Sequence, residues 1–429
     1  MRLKSILCTV AVCALVLTAC GESSDTSSST TSSTTSAAAT TTPAYASSLQ
    51  SLIEQTMKDN VIPGAVVHIE SPDQGTWTQA FGTGTIGEDA PVSVDDHFRI
   101  GSNTKTMTVT VILQLAQEGK LSLDDPVSKY VDGVPNGDQI TIAQLAEMRS
   151  GLYSYTFDPG FDATLDNDPQ KAWTPQELLD IAFSHPVDFA PGEQFEYSNT
   201  NTVLLGVIIE QLTGMSVAEA FQERIFDPVG LAQTSFPANT DSSIPDPHPN
   251  GYSFGSNVST IETYALPQDE QQAALDGDLL PNDETNANPS WTFTAGAGIS
   301  NVGDMATYVK ELVSGGMLDP QMQQTRIDSI QPTDPANPAN AGYGLGIARF
   351  GPDMLGHDGQ IPGYSTFMGQ DPKTGLVIVI GTNLATVPTG EGSALVLLRA
   401  ILPTFYGAGA VPGGDPARVS TTAPATPTS

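Results

Sequence analysis

The sequence predicts an α+β fold: an antiparallel sheet flanked by N- and C-terminal helices, with a mainly helical lobe inserted into it. Three observations point there. Strand-like runs sit at both ends of the folded region, at 65–70 and 77–82 and again at 344–350, 365–370 and 376–382. Between them, from residue 121 to about residue 289, helical pieces alternate with long polar, proline-rich loops. The last two strands flank Asp371-Pro372-Lys373-Thr374-Gly375, a turn composition that joins antiparallel neighbours. Chain ends that share one sheet around a helical insertion give two lobes with a cleft between them.

In chain order, residues 46–59 carry Leu49, Leu52, Ile53 and Met57 at the spacing of one helical face. Runs 65–70 and 77–82 have strand composition. A helix begins near Ser102 and ends at Gly119, a residue suited to the left-handed position that follows a helix. Strands return from residue 344, and residues 391–405 close the body as an apolar helix. The sheet lobe then takes about 45–101 and 290–406, and the helical lobe about 102–289. No internal repeat is visible.

With 429 residues the chain can form one large core or two ordinary ones. Its 48 acidic and 16 basic side chains give a formal charge of −32. Nucleic-acid binding needs a clustered basic footprint, which basic residues scattered over the whole chain do not supply. Polybasic docking on anionic lipid fails for the same reason. The N-terminus reads as an export signal: Arg2 and Lys4 precede an apolar run at 6–17 that is too short to span a bilayer. Leu17-Thr18-Ala19-Cys20 follows and resembles a bacterial lipoprotein signal, in which residues 1–19 are removed and Cys20 carries the lipid. An ordinary signal peptide with a cysteine near its cleavage site is the alternative. Cys8 and Cys13 lie inside the signal, so the processed chain keeps Cys20 alone, with no cysteine nucleophile or metal site. Residues 20–44 form a tether, since sixteen of residues 23–42 are Ser or Thr and none is apolar and larger than Ala. Residues 22–48 span roughly 30 Å as a coil and about 90 Å extended. Residues 407–429, rich in Gly, Pro, Ala and Thr, read as a disordered tail. The expectation is a protein held at the outer face of the bacterial cell membrane by a lipid anchor only.

Three short patterns carry chemistry. In Phe98-Arg99-Ile100-Gly101-Ser102-Asn103-Thr104-Lys105, Ser102 opens a helix and Lys105 lies three residues on, so the ammonium can reach the hydroxyl. The helix start favours an oxyanion, and a lysine in a low-dielectric cleft can lose its proton and act as a base. The same pattern also fits a serine cap with a surface lysine. Tyr197-Ser198-Asn199 is the second: a neighbouring cation lowers the pKa of a tyrosine, and Asn199 can hold a lysine and a substrate amide together. A turn or helix cap by Ser198 and Asn199 fits it too. The third is His357-Asp358-Gly359, followed by Gln360. Here Gly359 admits close approach of backbone, and the next N–H could serve an oxyanion hole with that of Ser102; a loop histidine in a turn is the plainer reading. Each pattern occurs once in the chain.

Together and in this order, the three resemble the marks of the serine penicillin-recognising enzymes: D-alanyl-D-alanine carboxypeptidases, class C β-lactamases and related esterases. The resemblance covers roughly 45–405. It extends to Phe98-Arg99-Ile100-Gly101-Ser102, Ser150-Gly151-Leu152, Tyr197-Ser198-Asn199-Thr200-Asn201 and Tyr343-Gly344-Leu345-Gly346. Histidine rather than lysine in the third motif looks most like the carboxypeptidase branch. The resemblance implies a β-lactamase/transpeptidase-like fold, no cofactor or metal, and a small-molecule or peptide substrate such as a peptidoglycan stem peptide. It implies Ser102 as the acylated nucleophile, Lys105 and Tyr197 sharing the proton transfer, and Asn199 positioning Lys105 and the substrate amide. It implies an oxyanion hole from the N–H groups of Ser102 and Gln360, with His357 on the cleft wall beside Tyr197. Asp358, Gly359 and Gln360 complete that substrate-binding strip.

One departure bears on specificity. The carboxypeptidase relatives hold the substrate's terminal carboxylate with hydroxyls beside the third motif and an arginine on the adjacent strand. Here Asp358 and Gln360 stand in those places, and the nearest arginine is Arg349, whose register the sequence does not fix. An acid beside an anionic terminus is unfavourable. Two rivals are weaker. Gly251-Tyr252-Ser253-Phe254-Gly255 matches a nucleophile elbow, but proline-rich loop precedes it where a buried strand is needed. A non-catalytic binding lipoprotein of the same fold conflicts with the presence of every polar motif residue.

Overall fold

The computed structural model describes residues 42–260, 263–351 and 353–407. The signal, Cys20, nearly all of the tether and the tail beyond Gly407 lie outside the described residues. Helix α1 (Ala46–Asp59) buries Leu49, Ile53 and Met57. It leads into β1 (Gly64–Ser71) and β2 (Gly75–Gly82). The remaining strands come from the far end of the chain: β3 (Gln331–Pro332), β4 (Ala341–Tyr343), β5 (Ala348–Phe350), β6 (Met354–Ile361), β7 (Tyr364–Gln370) and β8 (Val377–Thr382). They form one eight-stranded sheet in the order β2-β1-β8-β7-β6-β5-β4-β3, antiparallel throughout. N- and C-terminal segments thus meet at β1 and β8, where Ala65 faces Thr382 and Glu70 faces Val377.

Both faces of this sheet are covered, which explains why β8 is buried along its whole length. Ala65, Val67, Ile69, Ile378 and Ile380 point to the face holding α1 and α6 (Ser393–Ile401). Val66, Val377 and Val379 point to the opposite face with α2 (Thr104–Gln117), α4 (Asn199–Thr213) and α5 (Val302–Ser314). The two sets alternate along each strand, as the pleat requires. The helical insertion contributes α2, α3 (Pro159–Asn167) and α4, with α3 capped by Asp158, whose carboxylate accepts the Phe161 N–H at 2.7 Å.

Three sequence expectations change. The run 344–350 is not one strand: β4 ends at Tyr343, the chain turns, and β5 begins at Ala348. The closing helix stops at Ile401, and Pro403 opens a separate turn, Pro403–Tyr406, because proline cannot continue the ladder. The third motif lies on β6 rather than in a loop before β7. Its sequence, Met-Leu-Gly-His-Asp-Gly-Gln-Ile, has two glycines and no apolar alternation, so composition argues against a strand. Pairing with β5 and β7 supplies what propensity lacks.

Candidate active site

The turn bearing Ser102 is short and unusual. Gly101–Asn103 forms a single 3₁₀ turn, and α2 follows from Thr104. Gly101 has φ +52°, and a Cβ there would lie 2.7 Å from the backbone nitrogen of Gln360 on β6. Glycine is required on both counts. On the other side of the contact, a Cβ on Gly359 would sit 2.0 Å from the Ile100 carbonyl oxygen. That carbonyl accepts from Asn103 Nδ2 at 3.0 Å and from Thr366 Oγ1 at 2.9 Å, and both side chains are fully buried. Two glycines and this buried knot therefore set the start of α2 against β6, bringing the backbone of Ser102 and Gln360 to one place.

Lys105, the second residue of α2, is fully buried. Its Nζ lies 2.9 Å from Ser102 Oγ, 2.7 Å from Asn199 Oδ1 and 2.8 Å from the Ala295 carbonyl oxygen. It also sits 4.8 Å from the centroid of the Tyr197 ring. Burial lowers the Lys105 pKa to about 7, against the opposing charge of Asp358. Three oxygens satisfy an ammonium. With the proton gone, Asn199 and Ala295 still accept the two remaining N–H bonds, and the lone pair faces Ser102 Oγ.

Asn199 is the first residue of α4. Its N–H donates to Ser154 Oγ at 3.1 Å and its Nδ2 to Thr156 Oγ1 at 3.2 Å, so the amide orientation is set before any substrate arrives. Ser198 precedes it at the N-cap without a side-chain cap, so Asn199 reads as a ligand to Lys105 rather than as a capping residue. The resembling segment Ser150-Gly151-Leu152 supports the same turn, since Ser150 Oγ donates to Asn201 Oδ1 at 2.6 Å.

His357 departs from its expected place. It is 1% exposed and stands behind Tyr197, ring centroids 6.3 Å apart, rather than lining the cleft. Its Nδ1–H donates to the Asp358 carbonyl oxygen at 2.6 Å, and Nε2 accepts from the Tyr343 hydroxyl at 3.1 Å. Burial, helped by the charge of Lys105, lowers its pKa to about 3. His357 is therefore neutral and acts on the site by packing Tyr343 and Tyr197. Gly359 likewise turns its α-carbon to the Ile100 carbonyl, whereas Asp358 and Gln360 line the cleft.

The cleft holds about 180 Å³ and joins Ser102, Tyr197 and Asn199 to Asp162, Glu284, Asp358, Phe157, Trp291 and Ser253. Among the described residues no Lys or Arg lines it. Arg349 pairs with Leu355 across β5 and β6, and its guanidinium donates to the Pro338 carbonyl at 2.8 Å. Ser253 lies in a two-residue ladder, Tyr252–Ser253 against Asn282–Asp283, and its Oγ accepts the Gly363 N–H at 2.9 Å. Ser253 sits on this two-residue strand rather than at the turn, and the helix that follows, Asn257–Thr260, is only four residues long. Sequence reasoning missed the Ala295 carbonyl, Ser154 and Thr156, and it quoted Tyr343 without its bond to His357. A backbone acceptor carries no residue-type signal, and Ser154 and Thr156 are ordinary residues whose partner Asn199 lies more than 40 positions on.

In a comparison against known proteins, the model of the β-lactamase family matches residues 49–401. The chain belongs to the β-lactamase family. As a β-lactamase-family protein it has the β-lactamase/transpeptidase-like fold and is a serine hydrolase. It is 28% identical over 331 residues to penicillin-binding protein 4* of Bacillus subtilis (strain 168), covering 75% of this chain and 68% of that protein. It is 32% identical over 203 residues to protein flp of Staphylococcus aureus (strain MRSA252), 46% of this chain and 40% of that one. Among solved structures, a D-stereospecific amidohydrolase from Streptomyces sp. superposes with a TM-score of 0.69 at 31% identity, covering 83% of this chain and 98% of that one. The D-amino acid amidase from Ochrobactrum anthropi SV3, complexed with L-phenylalanine amide, gives 0.67 at 27% identity, covering 83% and 99%.

Proposed function

We propose that this protein hydrolyses amide or ester bonds of D-configured substrates that lack a free carboxylate next to the scissile bond. The observation that carries the chemistry is the buried Lys105 Nζ, 2.9 Å from Ser102 Oγ with two other oxygens holding it. Neutral Lys105 takes the Ser102 proton, with Tyr197 sharing the transfer. Ser102 Oγ attacks the carbonyl carbon, and the N–H groups of Ser102 and Gln360 hold the oxyanion. The same proton is then given to the departing nitrogen or oxygen as the bond to it breaks. Water adds to the acyl-enzyme by the reverse path, releasing the acid and restoring Ser102.

Specificity follows from charge. Asp358 lines the cleft beside Gln360, no cation lines it among the described residues, and Arg349 is engaged elsewhere. A free terminal carboxylate placed there meets the charge of Asp358 across the cleft, a repulsion of about 1–2 kcal/mol. Similarity to a D-stereospecific amidohydrolase and a D-amino acid amidase supports D-configured amides. Removing the charge should show it: Asp358→Thr raises the ratio of kcat/KM for a D-Ala-D-Ala peptide over its methyl ester by roughly five- to thirtyfold. An unchanged ratio, or a wild type already fast on the free peptide, favours the second reading. That reading is a D-alanyl-D-alanine carboxypeptidase acting on peptidoglycan stem peptides, supported by the histidine of the third motif and by similarity to penicillin-binding protein 4*. For localisation, Leu17-Thr18-Ala19-Cys20 supports lipidation of Cys20 and attachment to the outer face of the bacterial cell membrane.

A further inference from the structure

Arg99, three residues before Ser102, takes no part in the chemistry described above. It stands on a two-residue strand, Phe98–Arg99, that pairs with Ile299–Ser300, and it is 1% exposed. Its Nη2 donates to the carbonyl oxygens of Ser242 at 2.7 Å, Ala287 at 3.2 Å and Thr285 at 3.4 Å. Its Nε and Nη1 are buried with no acceptor among the described residues. Burial lowers its pKa to about 10, so it stays a cation at neutral pH. A buried cation satisfied on one side only is costly, and an apolar side chain would fill the space without that cost. What the guanidinium adds is the gathering of three carbonyls from two distant segments.

Both segments run into the cleft lining. Ser242 precedes the stretch that brings Ser253 and Phe254 to the cleft, and Thr285 and Ala287 lie between Glu284 and Trp291, which also line it. The segments are joined to each other as well: Thr285 Oγ1 accepts the Gly251 N–H at 2.9 Å, and Asn288 Nδ2 donates to the Asn239 carbonyl at 3.0 Å. The nucleophile end is held by other contacts. The knot on the Ile100 carbonyl fixes the Ser102 turn. Thr294 fixes the stretch behind Lys105, since its carbonyl accepts from Thr108 Oγ1 at 2.8 Å and its Oγ1 donates to the Thr202 carbonyl at 2.7 Å. We propose that Arg99 is a positioning residue for substrate recognition. It ties the part of the cleft wall formed by Ser253, Phe254, Glu284 and Trp291 to the strand that leads into Ser102, and so sets the affinity for groups lying beyond the reacting carbonyl. It does not act on the proton transfer. This rests on Ser102 being the nucleophile and on this cleft receiving the substrate, as proposed above.

The test compares two boronic acids, each of which forms a reversible tetrahedral adduct with a serine hydroxyl. Methylboronic acid reads the nucleophile and the oxyanion hole alone, whereas phenethylboronic acid adds a ring that must rest on the cleft wall. Their affinities are read on the full-length protein as protection of Ser102 from a fluorescent phosphonate. In Arg99→Met, phenethylboronic acid should bind roughly tenfold more weakly while methylboronic acid stays within about twofold of wild type, the loss expected when hydrogen bonds from a charged group go. Arg99→Lys, whose ammonium can still donate to carbonyls, should recover most of that affinity. Thr285→Val, which removes the Gly251 contact further along the same wall, should repeat the selective loss and decides the matter where Arg99→Met does not fold. A proportional loss of both boronic acids, no loss of either, or a wild type that binds the two equally overturns the positioning role. Failure of the wild type to label at Ser102 overturns instead the proposed function.

Discussion

At the scale of single residues, the site depends on keeping one lysine dry. Lys105 reaches Ser102 Oγ from a fully buried position, and its lowered pKa follows from that burial rather than from a neighbouring cation. Two expectations follow. Ser102→Ala should abolish covalent labelling by a serine-directed reagent, whereas Ser253→Ala should keep it, because Ser253 Oγ accepts the Gly363 N–H and hydrogen-bonds no lysine, histidine or carboxylate among the described residues. Mass spectrometry of the labelled peptide decides this, and label on Ser253 would refute the assignment. The labelling rate should also depend on pH. Only the neutral amine accepts a proton, so the rate should climb as pH rises through about 7 and fall roughly tenfold per unit below it. His357, held near 3, does not titrate in this window. Asp162 does, so the limb should persist in Asp162→Asn. Asp358 raises the Lys105 value, so Asp358→Asn should move the limb to lower pH. Lys105→Arg, which cannot deprotonate, should label about 10²–10⁴-fold more slowly. A rate independent of pH between 5 and 8 would remove Lys105 as the base.

At the scale of elements, the proposed oxyanion hole is organised by the contact between the Gly101–Asn103 turn and β6. Gly359 has no room for a Cβ against the Ile100 carbonyl, so Gly359→Ala must push the strand from the turn and with it the Gln360 N–H from that of Ser102. Loss of one oxyanion donor costs about 10²–10³ in rate. The variant should therefore show a labelling rate constant lower by that order, measured on protein whose thermal unfolding is still cooperative. A labelling rate equal to wild type would show that Gln360 takes no part. This element also marks where the sequence was legible and where it was not. Helix α1 and the strands β1, β7 and β8 announce themselves by apolar spacing or composition. Ser102, Lys105, Tyr197 and Asn199 were readable because their chemistry needs particular residue types at fixed spacing. β6 was hidden because the glycines that let it approach Ile100 and Met368 are the residues that weaken a strand on its own. The place of His357 was hidden for a related reason: only the sheet pairing puts it behind Tyr197 instead of beside the substrate.

At the scale of the whole molecule, charge and attachment constrain each other. The chain has a formal charge of −32, and the proposed removal of residues 1–19 would take Arg2 and Lys4 with it, leaving 14 basic against 48 acidic side chains, a net −34. Such a body is repelled by anionic lipid, so no electrostatic contribution can hold it at a membrane. No single helix among the described residues is long and apolar enough to cross one. The lipid on Cys20 proposed above would supply an attachment that does not depend on charge. This gives a test with two arms. Wild-type protein should stay in the membrane fraction in high salt and leave it in detergent, since apolar burial and not ion pairing retains it. Cys20→Ala should appear in the soluble fraction or accumulate unprocessed, while material that is soluble should label at Ser102 as fast as wild type, because the residues that line the cleft lie between Ser102 and Thr386. Release of the wild type by salt would point to an ionic partner that the chain's charge argues against, and unchanged fractionation of Cys20→Ala would refute the lipid anchor.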